Sequence, residues 1–104
     1  MILRLTRARY VDGYRFELQF SDGHAGIVDL EDRLHGPAFG VLRDVALFQQ
    51  GRLDPDVGTL VWPGDIDLAP EYLLFRALPN EPALQDLYVV WGYLSRRAAD
   101  GLAG

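Results

Sequence analysis

The sequence predicts an α+β domain: a small antiparallel or mixed β-sheet of about five strands, short helices packed on one face, and a C-terminal helix. Three observations carry that prediction. Through the first thirty residues, apolar and polar side chains alternate with a period of two, interrupted by tight-turn dipeptides. Beyond Leu30 the apolar spacing lengthens to three and four, the helical period. The chain has 104 residues, 49% apolar and 24% charged, enough for one hydrophobic core without covalent staples.

Residues 3–9 read as a first strand, with Leu3 and Leu5 on one face and Arg4 and Thr6 on the other. Asp12-Gly13 is a hairpin turn. Residues 14–20 form the clearest strand, placing Tyr14, Phe16, Leu18 and Phe20 inward and Arg15, Glu17 and Gln19 outward. A second turn at Ser21-Asp22-Gly23 leads to a third strand over residues 24–30, which completes a meander with one solvated face. Leu30 and Leu34 fit one helical turn, which Gly36-Pro37 is expected to end. Asp44 is a good N-cap for a short helix carrying Leu47 and Phe48, with Gly51 just beyond it. Residues 52–54 and 59–62 are two more strands, joined by Pro55-Asp56-Val57-Gly58.

Trp62-Pro63 ends the last of these strands, because proline has no N–H to give a ladder. Asp67 is placed to form an Asx-turn ahead of a helix that begins at Pro70, a residue suited to the first helical position, and Glu71 complements the helix dipole. Leu73, Leu74 and Leu78 face inward. Residues 79–82 read as a linker, dividing a domain over 1–78 from an extension over 79–104 that packs on the domain or at an interface. Residues 83–98 carry both helix and strand signals; length, a cap at Asn80, and Arg96 and Arg97 near the end favour helix.

Composition excludes several chemistries. There is no cysteine, so disulfides, thiolate nucleophiles and zinc–thiolate sites are absent. There is no lysine, so Schiff-base and P-loop lysine chemistry are absent too. No apolar run is long enough to span a membrane or to serve as a signal peptide, and a cytoplasmic location is expected. The net charge is −5, yet residues 1–16 hold four arginines against one aspartate, so the remainder is more acidic than the whole. An acidic body disfavours nucleic acid as a partner.

Four segments in register resemble the bacterial domain-of-unknown-function family 2442: residues 14–23 (YRFELQFSDG), Val28-Asp29-Leu30, the Gly36-Pro37-Ala38-Phe39 stretch with Leu42-Arg43-Asp44 and Phe48, and residues 60–73 (LVWPGDIDLAPEYL). The resemblance spans roughly residues 1–76. It implies a curved antiparallel sheet with short helices and no established activity. Some relatives carry a helix-turn-helix after this domain, for which residues 77–104 are too few. Others stand beside a second small protein in pairs resembling toxin–antitoxin modules.

No catalytic constellation emerges. Ser21 and Ser95 lack a nucleophile context. His24, Asp22 and Asp29 are the nearest approach to a metal set, but His24 and Asp29 are five apart on one strand and point to opposite faces. No cofactor, metal or small-molecule ligand is expected. The leading expectation is a non-enzymatic binding or regulatory module that engages a cognate small protein or forms a homodimer. Tyr88, Val89, Val90, Trp91 and Tyr93 cannot all face one small core, so Tyr88, Trp91 and Tyr93 are candidate contact residues, with Trp62, Arg7 and Arg9 beside them. Two competing readings are a DNA-binding regulator using Arg4, Arg7 and Arg9, and a small hydrolase or nuclease using Asp29, Asp67 and His24.

Overall fold

The computed structural model describes residues 2–95. Its first three strands are β1 (Leu5–Asp12), β2 (Arg15–Phe20) and β3 (Ala25–Asp29), an antiparallel meander in the order β1-β2-β3. The register pairs Phe16 with Tyr10 and Val28, and Leu18 with Ala8 and Gly26. Phe16, Leu18, Phe20 and Val28 are buried, as the alternation predicts. In β1 the alternation alone misplaces one half of the strand. A bulge between Leu5 and Arg7 shifts the phase, so that Leu5 faces the core while Arg7 and Arg9 face solvent.

A 3₁₀ turn at Glu31–Arg33 follows, with Leu30 and Leu34 buried on either side of it. That turn stops before Gly36-Pro37, and the dipeptide, expected only to break it, also begins α1 (Gly36–Phe39), where proline sits in the first turn and loses no hydrogen bond. A second 3₁₀ turn, Gly40–Arg43, leads into α2 (Val45–Phe48). Asp44 caps α2 through the Ala46 N–H, 3.0 Å away, as the sequence predicts.

The second half of the chain corrects the expectation of one five-stranded sheet. β4 (Arg52–Asp54), β5 (Thr59–Trp62) and β6 (Ile66–Leu68) form a separate three-stranded antiparallel sheet in the order β4-β5-β6. Asp67 lies in β6 opposite Val61 rather than in an Asx-turn, and Ala69 stands at the N-cap of the next helix without a side-chain cap. Pro63-Gly64 turns the β5–β6 hairpin, with Gly64 at φ 88° and Asp65 also left-handed at φ 60°. The two sheets meet at β1: Leu5 N–H donates to Gly58 O at 2.9 Å, and the Arg4 guanidinium lies against Gly58 and donates to Pro55 O.

The helix α3 (Pro70–Ala77) starts at Pro70 as predicted and buries Leu73 and Leu74. It packs on β3, where Gly26 leaves room for Leu78, whose Cδ2 would lie 3.2 Å from a β-carbon at that position. A 3₁₀ turn, Pro82–Leu84, runs into α4 (Gln85–Val90). Asn80 is not its cap; Glu81 holds the N-cap position of the 3₁₀ turn, with no side-chain bond. The expected helix over 83–98 stops early because Gly92 adopts φ 87° and closes a Schellman motif. Gly92 N–H donates to Val89 O at 3.0 Å and Tyr93 N–H to Tyr88 O at 2.9 Å. Arg96 and Arg97 lie outside the described residues.

Two aromatic groups anchor this fold. Phe48 meets Tyr14 and Phe16 at 5.3 Å and Trp62 at 5.6 Å between ring centroids, tying β2, α2 and β5 together. Phe75 on α3 takes Tyr88 edge-on and stacks with Tyr93, both at 5.1 Å. That second group holds α4 and the residues after it against the domain.

Candidate protein-contact site

Residues on α4 divide into two stripes. Leu84 and Tyr88 point inward and are buried. Leu87 and Val90 point outward, 38% and 75% exposed, with Trp91 half-buried beside them. Four-residue spacing puts Leu87 and Trp91 on one side of the helix, one turn apart. Leu3, which precedes β1, closes the other side. It is held there because the next residue is bonded at both ends: Arg4 N–H donates to Ser21 Oγ at 3.0 Å and Ser21 N–H to Arg4 O at 2.8 Å.

Between these elements lies a pocket of about 180 Å³ lined by Leu3, Asp22, Leu87 and Trp91. Its polar wall is Asp22, whose carboxylate is oriented by His24. Asp22 Oδ1 accepts from the His24 backbone N–H at 3.0 Å, and Oδ2 lies 2.9 Å from His24 Nδ1. The surface is thus apolar on three sides and anionic on the fourth.

The structure distributes the sequence-predicted contact residues unevenly. Trp91 lies at the pocket. Trp62 and Tyr88 are core residues with no surface to offer: the Trp62 indole N–H donates to Phe48 O at 2.8 Å, and the Tyr88 hydroxyl donates to Leu78 O at 2.8 Å. Burial pushes the Tyr88 hydroxyl up to about 12, with the nearby carboxylates of Glu81 and Asp22 adding to it. Tyr93 is half-buried against Phe75, and burial raises its hydroxyl as well. Arg7 and Arg9 are exposed on the outer face of β1, and Arg9 pairs with Glu17 at 3.2 Å. The contribution of Leu3, Asp22 and Leu87 is the part that sequence reasoning missed. Leu87 and Trp91 carried a signal, a second helical stripe, but it is readable only once Leu84 and Tyr88 are known to face the core.

The groups of the competing readings are dispersed. Asp29 accepts from the Glu31 N–H at 3.0 Å, Asp67 lies on β6, and His24 is engaged with Asp22. Among the described residues no three His, Asp or Glu side chains gather to hold a metal ion. Of the three arginines of the DNA reading, Arg4 is folded under the β4–β5 turn, Arg9 pairs with Glu17 at 3.2 Å, and Arg7 is exposed on β1. A wider groove of about 430 Å³ runs over the second sheet from Gln50 and Arg52 to Asp65, but it brings together no catalytic pair. No helix among the described residues is long and apolar enough to cross a membrane.

The fold is similar to the crystal structure of a Nitrosomonas europaea protein named as a candidate DNA-binding protein. The likeness covers 99% of this chain and 76% of that one, at a TM-score of 0.68 and 17% identity, and it includes the α4 segment. No curated protein matches the chain. The model of the family "Protein of unknown function (DUF2442)" matches residues 5–79, from the first residue of β1 to just past α3. By that match the chain belongs to the DUF2442 family.

Proposed function

We propose that the chain is a non-enzymatic protein-binding module, engaging a second small protein or a second copy of itself through the face made by α4 and Leu3. One observation carries the reading: Leu87, Val90 and Trp91 remain at the surface after Leu84 and Tyr88 have filled the core. Apolar side chains gathered around a pocket are the usual anchor of a protein interface. The Schellman closure and the Phe75 stack fix this stripe before any partner arrives, which reduces the ordering cost of association. A regulatory pair of the toxin–antitoxin kind, as the family resemblance implies, is the biological setting that suits such a module.

The name of the Nitrosomonas protein supplies the rival, DNA binding. Against it stand the net charge of −5 and the engagement within the chain of Arg4 and Arg9, two of the three arginines that reading uses. Sedimentation velocity of the chain alone, and mixed with the product of the adjacent gene, separates the readings. A dimer or a stoichiometric complex supports protein binding. A monomer in both samples, with a salt-sensitive mobility shift on duplex DNA, overturns it.

A further inference from the structure

We infer that the pocket beside Trp91 receives one apolar side chain from a basic segment of a different protein, with an arginine or lysine of that segment placed on Asp22. The inference rests on the protein-binding reading above and selects among its partners. A volume of about 180 Å³ suits one leucine or aromatic side chain, being slightly larger than a cavity of about 150 Å³ that takes up benzene. Leu3, Leu87 and Trp91 supply the apolar contact for such an anchor.

The single charged wall then decides what must flank it. Both carboxylate oxygens of Asp22 are already held by His24, at 3.0 and 2.9 Å, so the carboxylate is fixed in place. Each carboxylate oxygen accepts more than one hydrogen bond, so a cation can still be taken. A second copy of the chain is a poor source of that cation. Its net charge is −5, and Arg4 donates to Pro55 O while Arg9, Arg15 and Arg76 pair with Glu17, Asp12 and Asp32; Arg7 on β1 is a cation a copy could offer, so like-charge repulsion between copies carries the preference. A basic partner is attracted by the chain's net charge of −5, which repels a copy.

The test uses the full chain, labelled with ¹⁵N, at pH 8. Two capped pentapeptides serve as probes: acetyl-Ala-Arg-Phe-Arg-Ala-amide and acetyl-Ala-Glu-Phe-Glu-Ala-amide. The arginine peptide is expected to shift the Trp91 indole N–H and the amides of Asp22 and Leu87, and to bind about fivefold more tightly than the glutamate peptide. D22N keeps the oxygen that accepts from the His24 N–H and should lower affinity for the arginine peptide about threefold. Leu87→Ala should weaken both peptides alike. Raising NaCl from about 0.05 M to about 0.5 M should bring the two peptides together. Equal binding of the two peptides, indifference to D22N, or no shift at the pocket overturns the inference. If the sedimentation experiment still yields a complex while the pocket is silent to both peptides, protein binding stands and this pocket chemistry falls.

Discussion

A β-carbon on Gly51 would lie 2.5 Å from Nε1 of Trp62, closer than a β-carbon approaches a non-bonded atom in a folded protein. The indole cannot retreat, because the same nitrogen donates to Phe48 O at 2.8 Å and the ring is packed against Phe16 and Phe48. Gly51 is therefore required by space, and its φ is not in the left-handed region.

Gly51→Ala should accordingly destabilise the fold by about 1–3 kcal/mol, the usual cost of overpacking a filled core. Urea unfolding monitored by circular dichroism measures it. A loss well below that range would mean that the indole has room to move.

Tyr88 makes stability depend on alkaline pH. Its hydroxyl is raised to about 12 in the fold by burial, while in the unfolded chain it titrates near 10. The neutral form is the one the fold favours, so the contribution is complete below pH ~10 and is lost as pH rises toward about 12. The difference between the folded and unfolded hydroxyl sets the size of that loss at about 2–3 kcal/mol. Stability measured from pH 9 to pH 12 should fall more steeply in the native sequence than in Tyr88→Phe, and a titration at 295 nm should lose its latest-ionising tyrosine in that variant.

Arg76 joins three elements. Its guanidinium donates to Asp29 O at 2.9 Å and to the Tyr72 hydroxyl at 3.0 Å, and it pairs with Asp32. Arg76→Met should cost about 1–2 kcal/mol, since it leaves the Asp29 carbonyl without this donor. Asp32→Asn should cost at most about 0.5 kcal/mol at neutral pH, because the Asp32 side chain is 78% exposed. The hydrogen bond from Arg76 holds the Asp32 carboxyl below its ordinary range, so its small contribution is present above that range and lost as pH falls. Denaturation midpoints of both variants at acid and neutral pH check the order.

Local rules placed most of this fold. β4 and β5 span the predicted residues, Asp44 caps α2, and Pro70 opens α3, each from a signal that acts within four residues. What escaped depends on contacts distant in sequence. The junction of the two sheets turns on Leu5 meeting Gly58 and on Arg4 covering that turn, which no pattern in either segment announces. The bulge ahead of Arg7 shows in the sequence only as a phase change from Leu3 and Leu5 to Ala8 and Tyr10, and its geometry needs the β2 partner to define it. Gly92 is in plain view, but it reads as a helix stop only when Tyr93 has Phe75 to stack on. The same dependence hides the contact face. Tyr88 and Trp62 are large and aromatic, features of core and interface alike, and only packing assigns them to the core.

The central claim, that the outer stripe of α4 is the contact surface, is tested most directly at Val90. At 75% exposed, its side chain can be replaced without opening the core. Val90→Asp should leave the circular dichroism spectrum and unfolding midpoint within about 0.5 kcal/mol of the native chain. In sedimentation velocity it should also abolish or weaken at least about tenfold the dimer or complex formed by the native chain. An assembly of undiminished affinity in a folded Val90→Asp chain would contradict the account.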